Sequence, residues 1–366
     1  MINYIRYYIK MFLNIPNFKN LKNIDQQSIK NNNLKISMVL IGCGDIGSIN
    51  ADAINSSIHS NLIGVYDINE SLSDNLSTKY KCKKFNTFEE ILNDNEVNTV
   101  ILALPHNLHY IYAKKILNCN KNIIIEKPLG RNFFEANKIK DLYDKSSSKL
   151  SVLFPLRYRA SCHKAKEFIN LGYLGEINSI SININIYRNT QYWTGGFSGR
   201  SKNNWRTQKE LSGGGIIIMN VIHYIDLMFW IMGSRNIDLI KSNYTEGPYK
   251  GIENNLSASF IFNKNIIGAI KANSISSGEH SETVIFYGSN GTLEVGSFLK
   301  IELNKSVGNY KKGKYFFKSF DIIHERALYF NKYSIDLLNN NQTDIDIETA
   351  IKVQESIEKL YNNEFN

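Results

Sequence analysis

An alternation of strand and helix patterns constrains the fold of this chain more than any other sequence feature. Between residues 35 and 156, apolar runs of strand length alternate with helix patterns, beginning with KISMVLI and ending with SVLFPLRY. Uninterrupted apolar runs are typical of strands that are covered on both faces. Strands that alternate with helices pack as a parallel sheet with right-handed crossovers. We therefore predict a doubly wound α/β domain over residues 35–156.

A different pattern over residues 157–366 predicts a second α/β domain. The stretch 177–188 alternates apolar and polar residues, and the stretches 256–274 and 283–295 each resemble two antiparallel strands around a turn. We expect an open, mostly antiparallel sheet with helices on one face, and a last helix over 347–361 that can pack back on the first domain. The other face needs a cover, which predicts a homo-oligomer, either a dimer or a tetramer.

Composition excludes several classes of partner. The formal net charge is +9, but the basic residues are spread along the chain without a cluster or a nucleic-acid reading motif. We therefore expect no nucleic-acid partner. No apolar run approaches the roughly 20 residues that span a bilayer, so no membrane partner is expected. Residues 1–34 resemble a disordered or loosely docked extension, with a transit peptide as the alternative.

The cysteines indicate a reducing compartment. They are scattered and form no CxxC pair, which argues against a zinc site and against a secreted disulfide scaffold. We therefore expect a cytoplasmic protein without a metal site. The four positions are Cys43, Cys82, Cys119 and Cys162.

A glycine motif between the first strand and its helix predicts dinucleotide binding. In GCGDIG at 42–47, Gly42 makes the tight turn, Gly44 lets the backbone approach a pyrophosphate, and Gly47 permits close helix packing. The helix N-terminus, with Asp45 and Ile46, supplies donors to the pyrophosphate. Asp67 ends the next strand at the usual distance for an acid that binds ribose hydroxyls. No arginine follows it to meet a 2′-phosphate, so we expect NAD, and NADP is disfavoured.

Two later strand ends add candidates for the same crevice. Carboxyl ends of parallel strands face the cofactor crevice in such sheets. Pro105 and His106 follow one strand, and Glu126 and Lys127 end another. We expect all four to bind cofactor, although His106 fits a plain loop residue equally well. Lys127 can also donate hydrogen bonds to substrate hydroxyls.

Taken together, these motifs resemble the Gfo/Idh/MocA family of NAD(P)-dependent oxidoreductases. The resemblance covers essentially everything after residue 34, and EKP and the triple glycine are more specific than the glycine turn. The matching segments are GCGDIG at 42–47, LPHNLH at 104–109, IIIEKPLG at 123–130, LRY at 156–158, LG at 171–172, LGEI at 174–177, SGGG at 212–215 with His223 and Asp226, and YGSNGT at 287–292.

The resemblance implies a catalytic pair. Lys127 would contact both the cofactor and the reacting hydroxyl, and His223 would accept or donate the proton as hydride moves. A histidine suits reversible proton transfer because its pKa lies near neutrality. The alternative for His223 is a core histidine on an apolar helix.

One departure from the family pattern puts proton transfer in doubt. Many members have an aspartate four residues before the catalytic histidine, whereas this chain has Met219 there, and Val221 replaces a common glycine. Asn220 can take the acid's place and bind substrate. The chain can also belong to a subgroup with different proton handling, or have lost catalysis.

A glycine-hinged aromatic segment over 188–206 is the predicted substrate-binding region. Aromatic faces such as that of Trp205 stack on sugar rings, and Arg206 can form a two-pronged contact with a carboxylate or a phosphate. A similar Trp–Arg pair precedes the triple glycine in related nucleotide-sugar dehydrogenases. The alternative is a surface loop whose tryptophans only pack. Arg157 is either a further substrate ligand or a structural partner of an acid.

These features predict reversible oxidation of a secondary hydroxyl on a sugar, nucleotide sugar or inositol-like ring, with NAD as the hydride acceptor. Two alternatives stay open. One is glycoside hydrolysis assisted by a retained and recycled NAD. The other is a non-catalytic protein that senses NAD or sugar.

Overall fold

The computed structural model describes residues 34–200, 203–278, 280–318 and 322–362. Within these residues the chain forms two sheets whose helices share one continuous hydrophobic core. The predicted N-terminal extension falls almost entirely on residues outside the described ranges.

The first sheet is parallel and doubly wound, as predicted. Its order, β3-β2-β1-β4-β5-β6, reverses direction between β1 and β4, which leaves a crevice at their carboxyl ends. The central strands are buried on both faces, which explains their uninterrupted apolar sequences. The strands are β1 Ile36–Ile41, β2 Ser60–Tyr66, β3 Lys83–Lys84, β4 Thr99–Leu102, β5 Asn122–Glu126 and β6 Leu150–Leu153.

The second sheet has the order β14-β13-β12-β11-β7-β10-β9-β8. Within the described part of this second sheet, only the β7–β10 pair is parallel, so the predicted mostly antiparallel sheet is confirmed. Alternate residues of β10 are buried and exposed, as expected for a sheet with one covered face. The strands are β7 Ile177–Asn185, β8 Ile237–Glu246, β9 Glu253–Phe262, β10 Ile266–Asn273, β11 Ser281–Gly288, β12 Gly291–Val295, β13 Phe298–Leu303 and β14 Gly313–Lys318.

Helices cover both faces of the first sheet and one face of the second. Short 3₁₀ turns lie at Pro155–Tyr158 and Trp205–Thr207, and a π-helical turn lies at Ile217–Val221. The α-helices are α1 Asp45–Ser56, α2 Glu70–Tyr80, α3 Phe88–Asn93, α4 His106–Asn118, α5 Phe133–Tyr143, α6 Ala160–Asn170, α7 Thr190–Gly195, α8 Lys209–Ser212, α9 Ile222–Met232, α10 Ile322–Leu338 and α11 Ile347–Asn362.

Both C-terminal helices return to the first sheet. Helix α10 packs against α1 and strands β1 and β2, and helix α11 packs against α5 and β6. An ion pair of 2.8 Å between Lys140 and Glu348 joins α5 to the start of α11. The chain therefore ends by fastening the second domain to the first.

One stretch is long and apolar enough to cross a membrane by length and composition. It runs over Lys209–Met232, with a mean hydropathy of 1.7 in its most apolar window, and 83% of that window is buried inside the protein. The expectation that no apolar run approaches membrane-spanning length was therefore wrong. Burial between the second sheet and the first domain accounts for the apolar composition.

Candidate active site

The glycine turn has the geometry that a bound dinucleotide requires. Gly42 has φ of +92°, and a Cβ there would collide with the carbonyl of Ala103. A Cβ on Gly47 would collide with the carbonyl of Gly42, so this glycine lets α1 begin immediately beside the strand. Gly44 is the N-cap of α1, and Ile46 lies half-buried in its first turn. The free backbone N–H groups of this turn can hold a pyrophosphate.

Asp67 lies at the carboxyl end of β2 and is tied to the glycine turn. Its Oδ2 accepts a hydrogen bond of 2.7 Å from the backbone N–H of Cys43, and its Oδ1 accepts one of 2.8 Å from Asn69. A carboxylate has further lone pairs, so these bonds orient Asp67 and leave it able to accept from hydroxyls. The glycine turn and the acid therefore fit a dinucleotide together.

Asp45 also contacts the second domain. Its carboxylate accepts hydrogen bonds from the backbone N–H of Ser198, at 3.0 Å, and from the Ser198 hydroxyl. Arg200 lies 3.7 Å from the same carboxylate. These contacts hold the loop after α7 against the N-terminus of α1, beside the predicted pyrophosphate site.

His106 links the first sheet to the aromatic segment. It opens α4 directly after Pro105, is buried, and its Nδ1 lies 2.6 Å from the carbonyl of Ser212. Its ring meets that of Trp205 edge to face, with 4.6 Å between the centroids. Burial lowers the pKa of His106 well below its usual value, so the ring is neutral and donates from Nδ1. Its side chain therefore connects the crevice with the triple-glycine segment.

Lys127 lies at the centre of the site. It follows β5, and its peptide bond to Pro128 is cis. Its Nζ donates a hydrogen bond of 2.7 Å to the backbone carbonyl of Met219. Burial lowers the pKa of Lys127 to about 8, and the positive charges of Arg206, Arg326 and Arg188 act in the same direction, whereas Glu126 opposes them. A lysine with this pKa can exchange a proton near neutral pH.

Glu126 is committed to a buried structural network. Its Oε1 accepts hydrogen bonds from Asn50, at 3.0 Å, and from Arg326, at 2.6 Å. The carboxylate is 5% exposed as a residue, and it joins β5, α1 and α10. The prediction that Glu126 binds cofactor is therefore corrected, because its side chain is turned into the protein.

Arg157 is likewise turned away from the crevice. Its Nε and Nη2 donate to the two carboxylate oxygens of Asp226, at 2.9 and 2.5 Å. Both residues are buried, with 3% and 0% exposure. This two-pronged pair corresponds to the structural alternative, and the assignment of Arg157 as a substrate ligand is corrected.

His223 comes from α9 in the second domain, and Lys127 is among the cations whose charge reaches it. Its Nδ1 is buried and has no hydrogen-bond partner among the described residues. Burial lowers its pKa well below the usual value, and the cations of Lys127, Arg326 and Arg159 add to this effect. The imidazole is therefore neutral at physiological pH, and its Nδ1 could form a hydrogen bond to a ligand.

The triple glycine allows three close approaches just before α9. A Cβ on Gly213 would meet the carbonyl of Arg131, and one on Gly214 would meet the hydroxyl of Tyr361. A Cβ on Gly215 would meet the backbone of Glu253. The sequence pattern thus reflects crowding from α11, from β9 and from the loop after β5.

Glu253 anchors this turn and was missed in the sequence. Its buried carboxylate accepts hydrogen bonds from the N–H groups of Gly215, at 2.8 Å, and Ile217, at 2.9 Å. The Tyr361 hydroxyl donates to it at 2.9 Å. A lone acid at the start of a strand gives no sequence signal for this role, because the contact joins residues 38 apart.

The π-helical turn places Met219 in the site. This turn covers Ile217–Val221, and π turns inside helices occur frequently at functional sites. Met219 is 4% exposed, and Asn220 beside it is half-buried. The Tyr192 hydroxyl contacts the sulfur of Met219 at 3.6 Å. The thioether therefore stands where the family commonly has a carboxylate.

Fold and site together define a two-domain, dinucleotide-binding α/β protein whose crevice holds a lysine from the first domain and a histidine from the second. Within the described residues, no three His, Cys, Asp or Glu side chains are grouped as a metal would require.

Comparison with known proteins identifies the family. Residues 36–154 match the oxidoreductase family with an NAD-binding Rossmann fold, GFO/IDH/MocA, and residues 162–294 match the GFO/IDH/MocA C-terminal domain. The chain belongs to this family. The resemblance expected from the sequence motifs is thereby confirmed.

Two curated relatives and one solved structure are similar to the chain. Oxidoreductase P35 of Formosa agariphila is 30% identical over 54% of this chain and 61% of that relative. Glucose-6-phosphate 3-dehydrogenase of Bacillus subtilis is 28% identical over 51% of this chain and 52% of that relative. The chain therefore aligns with only about half to three fifths of these relatives.

The solved structure is that of the WlbA dehydrogenase from Bordetella pertussis in complex with NADH and UDP-GlcNAcA. The match covers 91% of this chain and 96% of that chain, with a TM-score of 0.76 and 18% identity. This likeness shows that the two proteins share a fold.

Proposed function

We propose that this protein is an NAD-dependent oxidoreductase that moves a hydride between a secondary hydroxyl of a sugar-like substrate and the nicotinamide. The observation that carries the proposal is the contact of Lys127, from the first domain, with the turn that precedes His223 in the second, because its Nζ donates to the Met219 carbonyl at 2.7 Å. The pKa of Lys127 is lowered to about 8, and its charge reaches His223. The family and the relative named for glucose 6-phosphate support a sugar as substrate.

Lys127 is the proton-transfer residue in this proposal. When bound, NAD supplies a carbon atom that accepts the hydride. As the substrate C–H bond breaks and the C–O bond becomes C=O, the hydroxyl proton passes to the neutral amine of Lys127. In the reverse direction the ammonium returns this proton. Near its own pKa, an acid or base is most effective at both steps.

His223 orients the hydroxyl in this proposal. A neutral imidazole with a pKa well below its usual value is a poor proton acceptor, although it can still form a hydrogen bond. The family resemblance assigned the proton to His223, whereas the electrostatics favour Lys127. His223 therefore holds the substrate oxygen in line with the lysine.

The Met219 carbonyl supports this division of roles. A thioether cannot carry a proton, so Met219 replaces the usual acid only through its backbone, which accepts from Lys127 at 2.7 Å. A carbonyl orients the amine without the full charge that would raise its pKa. Among the alternatives for the missing acid, this geometry favours altered proton handling.

The test is NADH absorbance with purified protein, NAD and a panel of sugars, inositols and nucleotide sugars. Lys127→Met should abolish NADH formation while NAD still binds. Lys115→Met, at an exposed position on α4, is the matched control and should keep wild-type activity. Activity that survives Lys127→Met would refute the proposed role of Lys127.

The same experiment separates the two alternatives. Glycosidic cleavage by protein that retains NAD, without net NADH, would assign a redox-assisted hydrolase. NAD and sugar binding without turnover, unaffected by Lys127→Met, would assign a sensor. A cytoplasmic location also remains a proposal, supported by the free state of all four cysteines.

A further inference from the structure

Two arginines lie against one tyrosine ring, and the charges of both reach Lys127. The guanidinium of Arg188 lies 4.8 Å from the ring centroid of Tyr192, and that of Arg206 lies 5.3 Å from the same centroid. Arg206 also lies 4.6 Å from the ring centroid of Trp205. These cation–π contacts restrain both guanidinium groups.

Both arginines have unused donors in buried positions. Nε of Arg188 and Nη1 of Arg206 are inaccessible to solvent and have no hydrogen-bond partner among the described residues. An unsatisfied buried donor on a charged group costs free energy, and a guanidinium cannot lose its proton to avoid that cost. Each of these two donors therefore lacks an acceptor, and a ligand could supply it.

The nearby acids are committed elsewhere. Asp45 accepts hydrogen bonds from Ser198, and Glu126 is bonded to Arg326 and Asn50. Lys127 adds a further positive charge when it is protonated. The substrate side of the crevice therefore carries an excess of positive charge.

The arginine pair adjoins the reacting groups. The Tyr192 hydroxyl contacts Met219, whose carbonyl accepts from Lys127. The charges of both arginines reach Lys127 strongly enough to lower its pKa. Arg188 also lines an open cavity of about 200 Å³ together with Trp193 and Tyr249. This cavity gives a ligand access to Arg188.

We propose that Arg188 and Arg206, held on Tyr192, form an anion subsite, so that the substrate is a sugar that carries a carboxylate or a phosphate. This proposal rests on the proposed function for its reacting end. Two-pronged pairing with such oxyanions is the interaction for which arginine geometry is best suited. The pair thereby selects acidic sugars over neutral ones.

The experiment measures binding, so it does not depend on turnover. Calorimetric titration of NAD-loaded protein would use D-glucuronate, D-glucose 6-phosphate and neutral D-glucose. We expect at least one anionic sugar to bind about tenfold or more tightly than glucose, because hydrogen bonds to charged groups contribute that much. The two anionic probes distinguish a carboxylate from a phosphate.

Variants locate the subsite. Arg188→Met and Arg206→Met keep much of the stacking stem and remove the charge, and each should abolish the preference for the anion. Arg206→Lys should keep part of the preference for the anion. This variant therefore distinguishes loss of the charge from a folding defect. Arg235→Met, at an exposed position after α9, is the matched control and should bind as wild type.

Three results would overturn the subsite. Equal binding of glucose and both anions would do so, as would an anion preference that either methionine variant retains. An NAD affinity that falls with Arg206→Met would assign this arginine to the cofactor instead. Anion binding through both arginines without NADH formation on any substrate would keep the subsite and refute the oxidoreductase. NADH formation from neutral sugars that neither arginine variant affects would keep the oxidoreductase and refute the subsite.

Discussion

At the scale of single residues, the site depends on how burial changes the ionisation of groups with ordinary chemistry. Burial and neighbouring cations lower the pKa of Lys127 to about 8 and hold His223 neutral. The same residue types on a surface would be a charged lysine and a partly protonated histidine at neutral pH. The surroundings of Lys127 and His223 therefore reverse the ionisation behaviour that their residue types suggest, so the lysine is the group that titrates nearer to neutral pH.

This exchange predicts the pH dependence of sugar oxidation. Because the neutral amine accepts the proton, kcat/KM should rise about tenfold per pH unit up to about pH 8 and then level off. Carbonyl reduction needs the ammonium and should fall above the same pH. The profile is measured from pH 6 to 10 with a saturating cofactor.

His223→Gln is the companion variant for this profile. It should lower kcat/KM, because it removes a group that orients the substrate. The rise of kcat/KM up to about pH 8 should stay, because that rise belongs to Lys127. A limb between pH 6 and 7 that disappears in His223→Gln would return proton transfer to His223.

Asp67 is the residue that we predict to determine the choice between NAD and NADP. An acid at the end of β2 accepts from ribose hydroxyls and repels a 2′-phosphate. Asp67→Ser should weaken NAD binding by about tenfold or more and narrow the difference between NAD and NADP. Fluorescence titration with both cofactors checks this. Unchanged NAD affinity would place the ribose away from Asp67.

At the scale of elements, the triple glycine decides how α9 enters the site. Glu253 from β9 and Tyr361 from α11 close around this turn, so the position of His223 depends on three separate elements. The π turn then directs the Met219 carbonyl at Lys127. A turn this crowded tolerates no side chain.

Gly213→Ala and Gly172→Ala together measure that crowding. Both glycines have positive φ, +84° and +69°, but a Cβ on Gly172 would have no neighbour within 4 Å. Gly172→Ala should cost about 1–2 kcal/mol of unfolding free energy from backbone strain alone. Gly213→Ala adds the collision with Arg131 and should cost about 3 kcal/mol or more. Denaturant unfolding measures the loss of unfolding free energy in both variants. Equal losses would show that the neighbours of Gly213 add no cost.

At the scale of the whole molecule, the second sheet presents an apolar row on its open face. Strand register aligns Leu239, Ile261 and Ile267 across β8, β9 and β10, and continues through Ser179 to Tyr287 on β11. Ile267 is 66% exposed and Leu239 is 47% exposed. An exposed row of this kind, apolar apart from Ser179, is typical of a protein interface.

We propose that this row is the contact between copies of the chain. Ile267→Lys should shift the protein toward the monomer in light scattering after size-exclusion chromatography, because a charge would be buried without a partner. Ile111→Lys, at a 49% exposed position on α4, should leave the assembly unchanged. A wild-type protein that is monomeric at micromolar concentration would refute the proposal.

Local patterns in the sequence determined the two-sheet architecture, the dinucleotide turn and Asp67. Each of these depends on residues close in the chain, through apolar periodicity, glycine geometry and strand ends. The positions of Lys127 and His223 also followed from motifs, although their ionisation did not.

Tertiary structure alone decided which charged residues face the crevice. Glu126 and Arg157 carry the same sequence signal as true ligands, yet each is bonded to a distant partner, Arg326 and Asp226 respectively. Arg188 was predicted only as the first residue of the 188–206 segment, and it lies beside Tyr192 because it directly follows β7. Pairing and burial are properties of packing between segments far apart in the chain, so local patterns carry no record of them.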